Sequence, residues 1–547
     1  MLKNYLLDTF KKIFQKIDWK LLLFLVLFLN VKLIIKLAAI VIIYCLRFNF
    51  KFGFRLRSSR LPLFYVFIIG IALLDWLFNN SFMHLNENAA LFTGLSTWVL
   101  CILSIHQLKL SIEKNIPEKI HNTILAFFAL NAIFSFLNYF AIVLDSGSLN
   151  PFLYQGQYQK YFMGTGDHIR GITFDTSTTN ALINALGVIY FLSRKQMVMT
   201  FTCMAVMLFT ASNLTNILIA GVFIHLFIFQ SSRLQKSTII VCFAFLLVFI
   251  AKISPQNNHY THEVFQKIFK RNKDIQAAVP VMSLKEKPDS ALDPEEKKQK
   301  IALLCLDSVA RAARNHRALS GNRELVVFPE VKSFEPNIHT LPFQRKVDTT
   351  KMQERLGKVA KEIKADSLIH QVSANARYEL PGKAIAFKQT VLFFETRPQK
   401  IISGVGMGNF SSKLAFRITA LNISGGYPHR LAYINDNFRN NHFADYVYHF
   451  SKDAQYHSIV NSPNSVYNQL AGEYGMAGLL AFLFFYLGFY IKRVGKNSMA
   501  VPLLLIMAGA FFFDYWFEQL SVVVLFEVLM LVNIREVGLN KKTGNNA

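Results

Sequence analysis

The sequence predicts an all-α polytopic membrane protein, with about 11 to 12 transmembrane helices and one large, mostly helical loop domain on the outer face. Its apolar residues, 52% of the chain, stand in long blocks and not in the alternation of a soluble protein. A bilayer core of about 30 Å needs roughly 20 apolar residues in a helix. Basic residues also cluster in every second short loop, as they do on the cytoplasmic side of membrane proteins.

The chain begins with apolar residues at helical spacing over 2–16 and lysines on the opposite face, which predicts an interfacial helix. Residues 21–46 are apolar but contain Lys32 and Lys36. Because both flanks of this segment are basic, we favour two short tilted helices that turn near Asn30. The alternative is a single crossing with the amino terminus outside.

The remaining spans follow from the apolar blocks. We expect an N-terminal membrane domain over 1–253, a loop domain over 254–464, and a C-terminal membrane domain with a cytoplasmic tail over 465–547. The spans expected after residue 46 are 62–79, 90–106, 122–146, 179–193, 196–211, 213–230, 237–253, 466–490, 499–513 and 520–533.

The short loops give the orientation. Residues 47–60 carry three arginines between 55 and 60, whereas 80–89 and 514–519 carry no Lys or Arg. The positive-inside rule therefore places 47–60 in the cytoplasm and both 147–178 and 254–464 on the outer face.

The formal charge of +25 could indicate nucleic-acid binding. Most of it lies in loops beside the spans, where it orients helices, so we expect no nucleic-acid partner. The sequence has no CxxC motif and no Cys/His cluster, so we expect no metal. The large loop contains Arg311, Arg314 and Arg317, which are spaced to share one face of a predicted helix. This face forms either a solvated surface or an anion site.

The boundary between the loop and the next span carries the most informative residues. It contains Asn464, Ser465 and Tyr467, followed by Glu473-Tyr-Gly475-Met-Ala-Gly within an apolar run. A charge this deep in an apolar segment usually faces a cavity or a partner. The alternative is a polar helix start with one acid that extends back to the surface.

Two further blocks precede it. Gly382-Lys383 is followed by Gly404-Val-Gly406-Met-Gly-Asn-Phe, and Arg170-Gly-Ile-Thr-Phe stands before an earlier span. In this order the blocks resemble the O-antigen ligase and O-antigen polymerase superfamily. This chain has Asn464-Ser465 where ligases usually have His-Asn, and Lys383 where they often have Arg.

The resemblance implies a metal-independent glycosyltransferase without a cofactor, in the inner membrane of a bacterium and with its large loop in the periplasm. The donor would be a glycan on undecaprenyl diphosphate. The acceptor would be lipid A–core for a ligase or another glycan chain for a polymerase, and both remain open.

The family reaction needs positive charge at the leaving diphosphate and a proton acceptor for the attacking hydroxyl. By this resemblance, Arg170, Lys383 and the loop arginines are candidates for the diphosphate. His457 or Glu473 would take the proton. The glycines and the polar helix start would be motif residues with a structural role: Gly404, Gly406, Asn464, Ser465, Tyr467 and Gly475.

A transporter of a glycan or lipid-linked intermediate is the alternative class. Transporters carry acids within the membrane and often have inverted repeats. The sequence shows no repeat, but it has four acids within or beside predicted spans: Asp75, Asp514, Glu518 and Glu527.

Overall fold

The computed structural model describes residues 15–56, 58–78, 83–146, 149–153, 168–253, 381–421, 427–450, 462–494 and 499–544, and these residues contain helices but no β-strand. Several predictions fall outside these ranges: most of the interfacial helix, most of the large loop, Arg311, Arg314, Arg317 and His457.

The described helices before the large loop agree with the predicted spans in place. They are α1 (Trp19–Phe28), α2 (Leu33–Leu46), α3 (Phe64–Phe78), α4 (Leu85–Lys114), α5 (Pro117–Ser146), α6 (Ser177–Ser193), α7 (Met197–Phe209), α8 (Asn213–Phe229) and α9 (Arg233–Val248).

The described helices after residue 380 are shorter until the final spans. They are α10 (Gly382–Thr396), α11 (Lys400–Ser403), α12 (Lys413–Arg417), α13 (Asp436–Phe438), α14 (Ala444–Phe450), α15 (Val466–Ala481), α16 (Gly488–Ile491), α17 (Ala500–Phe513), α18 (Trp516–Gln519) and α19 (Ser521–Gly544).

Local sequence signals set several of these boundaries. Pro117 opens α5, because proline suits the first turn of a helix, where its missing N–H costs no hydrogen bond. The side chain of Thr176 accepts from the backbone N–H of Thr179 and so caps α6. Ser232 and Gln235 form a reciprocal capping box at the start of α9.

Four helices are long and apolar enough to cross a membrane: Leu85–Lys114, Pro117–Asp145, Arg233–Ile253 and Val466–Ile491. Shorter apolar helices of 10–17 residues accompany them, among them α1 and α2. This composition indicates a membrane protein. The count of about 11 to 12 spans stays a prediction.

The first two helices form an antiparallel hairpin that turns at residues 29–32. Asp18, just before α1, pairs with Arg47, just after α2, with 2.8 Å between Arg47 Nη2 and Asp18 Oδ2. Lys20 Nζ also donates to the carbonyl of Leu46 over 3.3 Å. The turn that we favoured near Asn30 is therefore present.

The basic segments predicted to be cytoplasmic meet at one end of the helices. Arg60 pairs with Glu113, and Arg194 pairs with Glu536. Arg493 Nη2 donates to the carbonyl of Ser59 over 2.8 Å. The segments predicted to lie outside meet at the opposite end, where the amide of Val31 donates to Thr173 over 2.9 Å and Asn86 Nδ2 donates to Ala432 over 3.2 Å.

Helix α19 lies at the centre of the bundle. The residues from Val522 to Phe526 and from Val528 to Leu531 are 0% exposed, so this helix has neighbours on every side. It packs against α4, α6 and α17. A helix apolar on all faces is expected in such a position.

Candidate functional site

A cavity of about 390 Å³ lies at the predicted outer end of the bundle, among α2, α4, α12, α15 and α18. Apolar residues such as Leu33 and Met407 line part of its wall. The polar lining consists of Lys32, Lys36, Thr93, Thr97, Asp175, Lys413, Arg417, Gln469, Glu518 and Gln519.

Two pairs of basic residues face this cavity from opposite halves of the chain. Lys32 and Lys36 are four residues apart at the start of α2, and Lys413 and Arg417 are the first and last residues of α12. Residues at i and i+4 lie on one helix face, so each pair presents both charges together. Four cations and two acids give the lining a formal excess of two positive charges (4 − 2), which favours an anionic ligand.

Hydrogen bonds hold both basic pairs in place. Ser412 caps α12, since its Oγ accepts from the amide of Ala415 over 2.9 Å. Lys36 is 2% exposed, and its Nζ donates to the carbonyl of Phe28 over 2.9 Å and to Ser521 Oγ over 3.2 Å.

The two acids that line the cavity are Asp175 and Glu518. Asp175 Oδ2 accepts from Thr179 Oγ1 over 3.0 Å, and Glu518 Oε1 accepts from Gln469 Nε2 over 2.5 Å. Glu518 stands in the turn between α17 and α19. Burial raises the pKa of its carboxyl to about 8.

Helix α15 is broken directly after Tyr474, a residue that lines the cavity. Gly475 has φ +62° and ψ −161°, a conformation essentially restricted to glycine, and it interrupts the helix. The carbonyls of Gly472 and Glu473 instead accept from the amides of Val405 and Gly406, both over 3.0 Å. The glycine-rich loop thus satisfies backbone groups that lipid would leave without partners.

The contact between this loop and the broken helix is main chain against main chain. A Cβ on Gly404 would collide with the backbone of Glu473 and Tyr474, and a Cβ on Gly475 would collide with the carbonyl of Ile402. At Gly406 the neighbour is the carboxylate of Asp75. The glycine spacing in the sequence is therefore a packing requirement.

The break also fixes an aromatic wall. Tyr474 OH accepts from Trp98 Nε1 over 3.0 Å, and both rings line the cavity. The rings meet edge to face with centroids 6.2 Å apart. Such rings commonly form the apolar surfaces of ligand pockets.

Glu473 lies behind the cavity wall and does not line it. The side chain is 1% exposed, and neither carboxylate oxygen makes a hydrogen bond within the described ranges. The Ser412 hydroxyl, the Gln469 side chain and the amides of Gly408 and Phe410 lie close to it.

The polar start of α15 fastens this helix to α17 and the turn after it. Asn464 Nδ2 donates to Asp514 Oδ1 over 3.2 Å, and Ser465 Oγ donates to the carbonyl of Phe511 over 3.3 Å. Tyr467 OH donates to the carbonyl of Ala508 over 2.9 Å. These contacts give the three motif residues a structural role.

Lys383 is buried beside the same junction and does not line the cavity. Its Nζ donates to the carbonyl of Asn464 and, over 2.9 Å, to that of Phe513. Burial lowers the pKa of this lysine to about 7, although Asp514 opposes the shift. Lys383 therefore holds the start of α15 and the end of α17 together. Its role at the diphosphate stays a prediction.

Arg170 stands on the exposed side of the turn before α6. The backbone amides of Arg170 and Gly171 both donate to Asn138 Oδ1 over 3.2 Å, and Asn180 Nδ2 donates to the carbonyl of Ile169 over 2.9 Å. This turn places Asp175 in the cavity lining, whereas Arg170 does not line it.

A buried polar network joins α10 to α15 through Thr390 and Asn468, with 2.6 Å between Thr390 Oγ1 and Asn468 Oδ1. His442 lies against this network, 3.3 Å from Thr390 Oγ1. Burial lowers the pKa of His442 to about 3, so its ring stays neutral. It does not line the cavity and supplies no base there.

Sequence reasoning missed the basic pair Lys413 and Arg417 and the polar residue Gln469. It considered Glu518 only for a transporter. It treated Lys32 and Lys36 only as unexpected charges within an apolar segment. The available signal was the i, i+4 spacing of both basic pairs, one of them directly after the glycine-rich block.

Among the residues that the structure describes, no three His, Cys, Asp or Glu side chains are grouped to hold a metal ion. Comparisons with protein-family models, with curated proteins and with solved structures find no match for this chain.

Proposed function

We propose that this protein transfers a glycan from undecaprenyl diphosphate to an acceptor hydroxyl at the outer face of a bacterial inner membrane. The observation that carries the proposal is the convergence of two basic pairs on one cavity that also contains a carboxylate. The motif resemblance supplies the donor class. The geometry of the described residues supplies a place for its diphosphate.

The chemistry requires charge stabilisation at the leaving group. The acceptor oxygen forms a bond to the anomeric carbon, the bond from that carbon to the phosphate oxygen breaks, and the diphosphate leaves with the electron pair. Lys32, Lys36, Lys413 and Arg417 stabilise the negative charge that develops there. Arginine also offers two parallel hydrogen bonds to phosphate, so this mechanism uses no metal.

The cavity suits such a ligand in size and lining. Its volume of about 390 Å³ falls within the usual range for small-molecule pockets, roughly 300–1,000 Å³. The rings of Trp98 and Tyr474 and the hydroxyls of Thr93 and Thr97 supply the apolar and polar surfaces that a sugar requires.

The proposal includes a topology. About 11 to 12 helices cross the membrane, the basic end of the bundle faces the cytoplasm, and residues 254–464 lie in the periplasm. By the motif resemblance, Arg311, Arg314 and Arg317 of this loop are further candidates for the donor diphosphate. The acceptor is lipid A–core in the ligase form of the proposal and a glycan chain in the polymerase form.

Deleting the gene and profiling the surface glycan tests the proposal. A ligase leaves lipid A–core uncapped while long lipid-linked chains accumulate, and a polymerase leaves core capped with one repeat unit. Complementation with the wild-type gene restores the glycan in both cases. An unchanged glycan in the deletion strain contradicts the proposed function.

A further inference from the structure

The proposed reaction needs a group that takes the proton of the acceptor hydroxyl. Asp175 and Glu518 are the two carboxylates that line the cavity, whereas Glu473 lies behind its wall. The described His442 is buried away from the cavity. The choice among described residues therefore falls between Asp175 and Glu518.

Their surroundings separate the two acids. Asp175 is 8% exposed, accepts from Thr179 and faces the ammonium of Lys36. This carboxylate is therefore buried against the start of α6 and Lys36, with little surface left for an acceptor hydroxyl. Glu518 is more exposed than Asp175, since it is only partly buried, and Gln469 holds its Oε1 in place.

The electrostatics of Glu518 suit proton uptake. Burial makes the largest contribution to its pKa of about 8, and the nearby Glu473 raises it further, while Lys413, Arg417 and the amide of Leu414 oppose the rise. Proton transfer is most efficient when the pKa of the base is close to the working pH. The titratable groups facing Glu518 from α12, α14, α15 and the turn before α18 are Lys413, Arg417, Tyr446, Glu473, Tyr474 and Tyr515.

We infer that Glu518 is the general base of the transfer, an inference that rests on the proposed function. As the acceptor oxygen bonds to the anomeric carbon, its proton passes to the carboxylate of Glu518. The bond between that carbon and the phosphate oxygen breaks at the same time. The diphosphate keeps the electron pair between the basic pairs, and Glu518 later releases the proton to water.

The test uses the full chain in liposomes with undecaprenyl diphosphate-linked glycan as donor. Glu518→Gln keeps an oxygen that accepts from Gln469 but takes no proton, so the transfer rate falls by about 10²–10⁴-fold. Donor retention on the liposomes stays within about twofold of wild type, since the basic pairs are intact. The wild-type rate rises with pH up to about 8 and then levels, and this rise is absent in Glu518→Gln.

Glu518→Asp retains a carboxylate, so we expect a lower rate that still depends on pH. This variant separates the loss of the base from a folding defect. Glu395→Gln, at an exposed carboxylate on α10, is the matched control and keeps the wild-type rate and pH profile.

A Glu518→Gln rate within about threefold of wild type, or an unchanged pH profile, overturns the assignment of the base alone. That assignment also fails if His457→Ala, and not Glu518→Gln, abolishes the pH-dependent step. A wild-type protein that neither retains donor nor transfers glycan overturns the proposed function, and the assignment of Glu518 with it.

Discussion

Gln469 Nε2 lies 2.5 Å from Oε1 of Glu518, and this hydrogen bond joins the broken helix α15 to the short helix α18. Gln469 lies six residues before the break at Gly475, and Glu518 lies in a turn between two apolar helices. The contact therefore joins the motif at the start of α15 to Glu518, an acid that the sequence suggested only for a transporter.

The first prediction concerns this hydrogen bond. A donor to a carboxylate stabilises the charged form, so Gln469→Met, which has a similar volume, raises the pKa of Glu518. The midpoint of the pH–rate profile should therefore move to higher pH, with little loss of rate at the alkaline plateau. A midpoint that stays in place would show that Gln469 does not influence the base.

The second prediction concerns the basic pair on α12. Replacing Lys413 or Arg417 with Gln removes a charged hydrogen-bond donor, which is worth about 1.5–3 kcal/mol, or roughly 10–100-fold in donor affinity. Retention of labelled donor on liposomes measures the effect. Lys388→Gln, at an exposed lysine of α10, is the control and should bind like wild type.

The third prediction concerns the break in α15. Gly475→Ala forces a side chain into a backbone region that costs about 1–3 kcal/mol and into the Ile402 carbonyl, so the melting temperature in detergent should fall. Gly221→Ala provides the control, because no heavy atom lies within 4 Å of the added Cβ and helix interiors favour alanine. Equal melting of the two variants would contradict the packing argument.

The fourth prediction concerns Lys383. Its folded-state pKa, about 7, is below the ordinary lysine value of 10.5, so between these pH values the unfolded chain holds a proton that the folded chain has lost. This lysine therefore makes stability rise with pH across that window, by at most about 1.4 kcal/mol per pH unit. Lys383→Met should flatten the slope of melting temperature against pH, while Lys388→Met keeps the wild-type slope.

The fifth prediction concerns topology. A cysteine at Ser58 should react with an impermeant reagent only from the cytoplasmic side, and a cysteine at Lys298 only from the periplasmic side. The background must lack the native cysteines. Reaction of both sites from one side would refute the orientation, whatever the enzymatic activity.

The sequence predicted the fold well wherever one stretch of chain decides the structure. Apolar blocks located the helices, and the basic flanks on either side of residues 21–46 predicted a turn near Asn30, since neither feature depends on distant contacts. The break at Gly475 was not predicted, because a glycine in an apolar run is compatible with an unbroken helix. The break is stabilised by the loop amides of Val405 and Gly406, which come from a distant part of the chain.

The candidate site was harder to predict for a related reason. Lys36 and Lys413 line one cavity only because α2 and α12 are brought together by the rest of the bundle. The motif residues Asn464, Ser465 and Tyr467 stood out as polar groups beside a span, yet they fasten helices. Polarity in the sequence indicates that a side chain needs a partner, but not whether that partner is protein or ligand.

The central position of α19 has a consequence for biogenesis. The ribosome makes this helix after α4, α6 and α17, which pack against it, so those helices are synthesised before their shared partner exists. Until then, Lys36 and Tyr65 lack Ser521 and Glu527, the hydrogen-bond partners that α19 supplies. The growing chain therefore holds these polar groups without their final partners until its last helix is made.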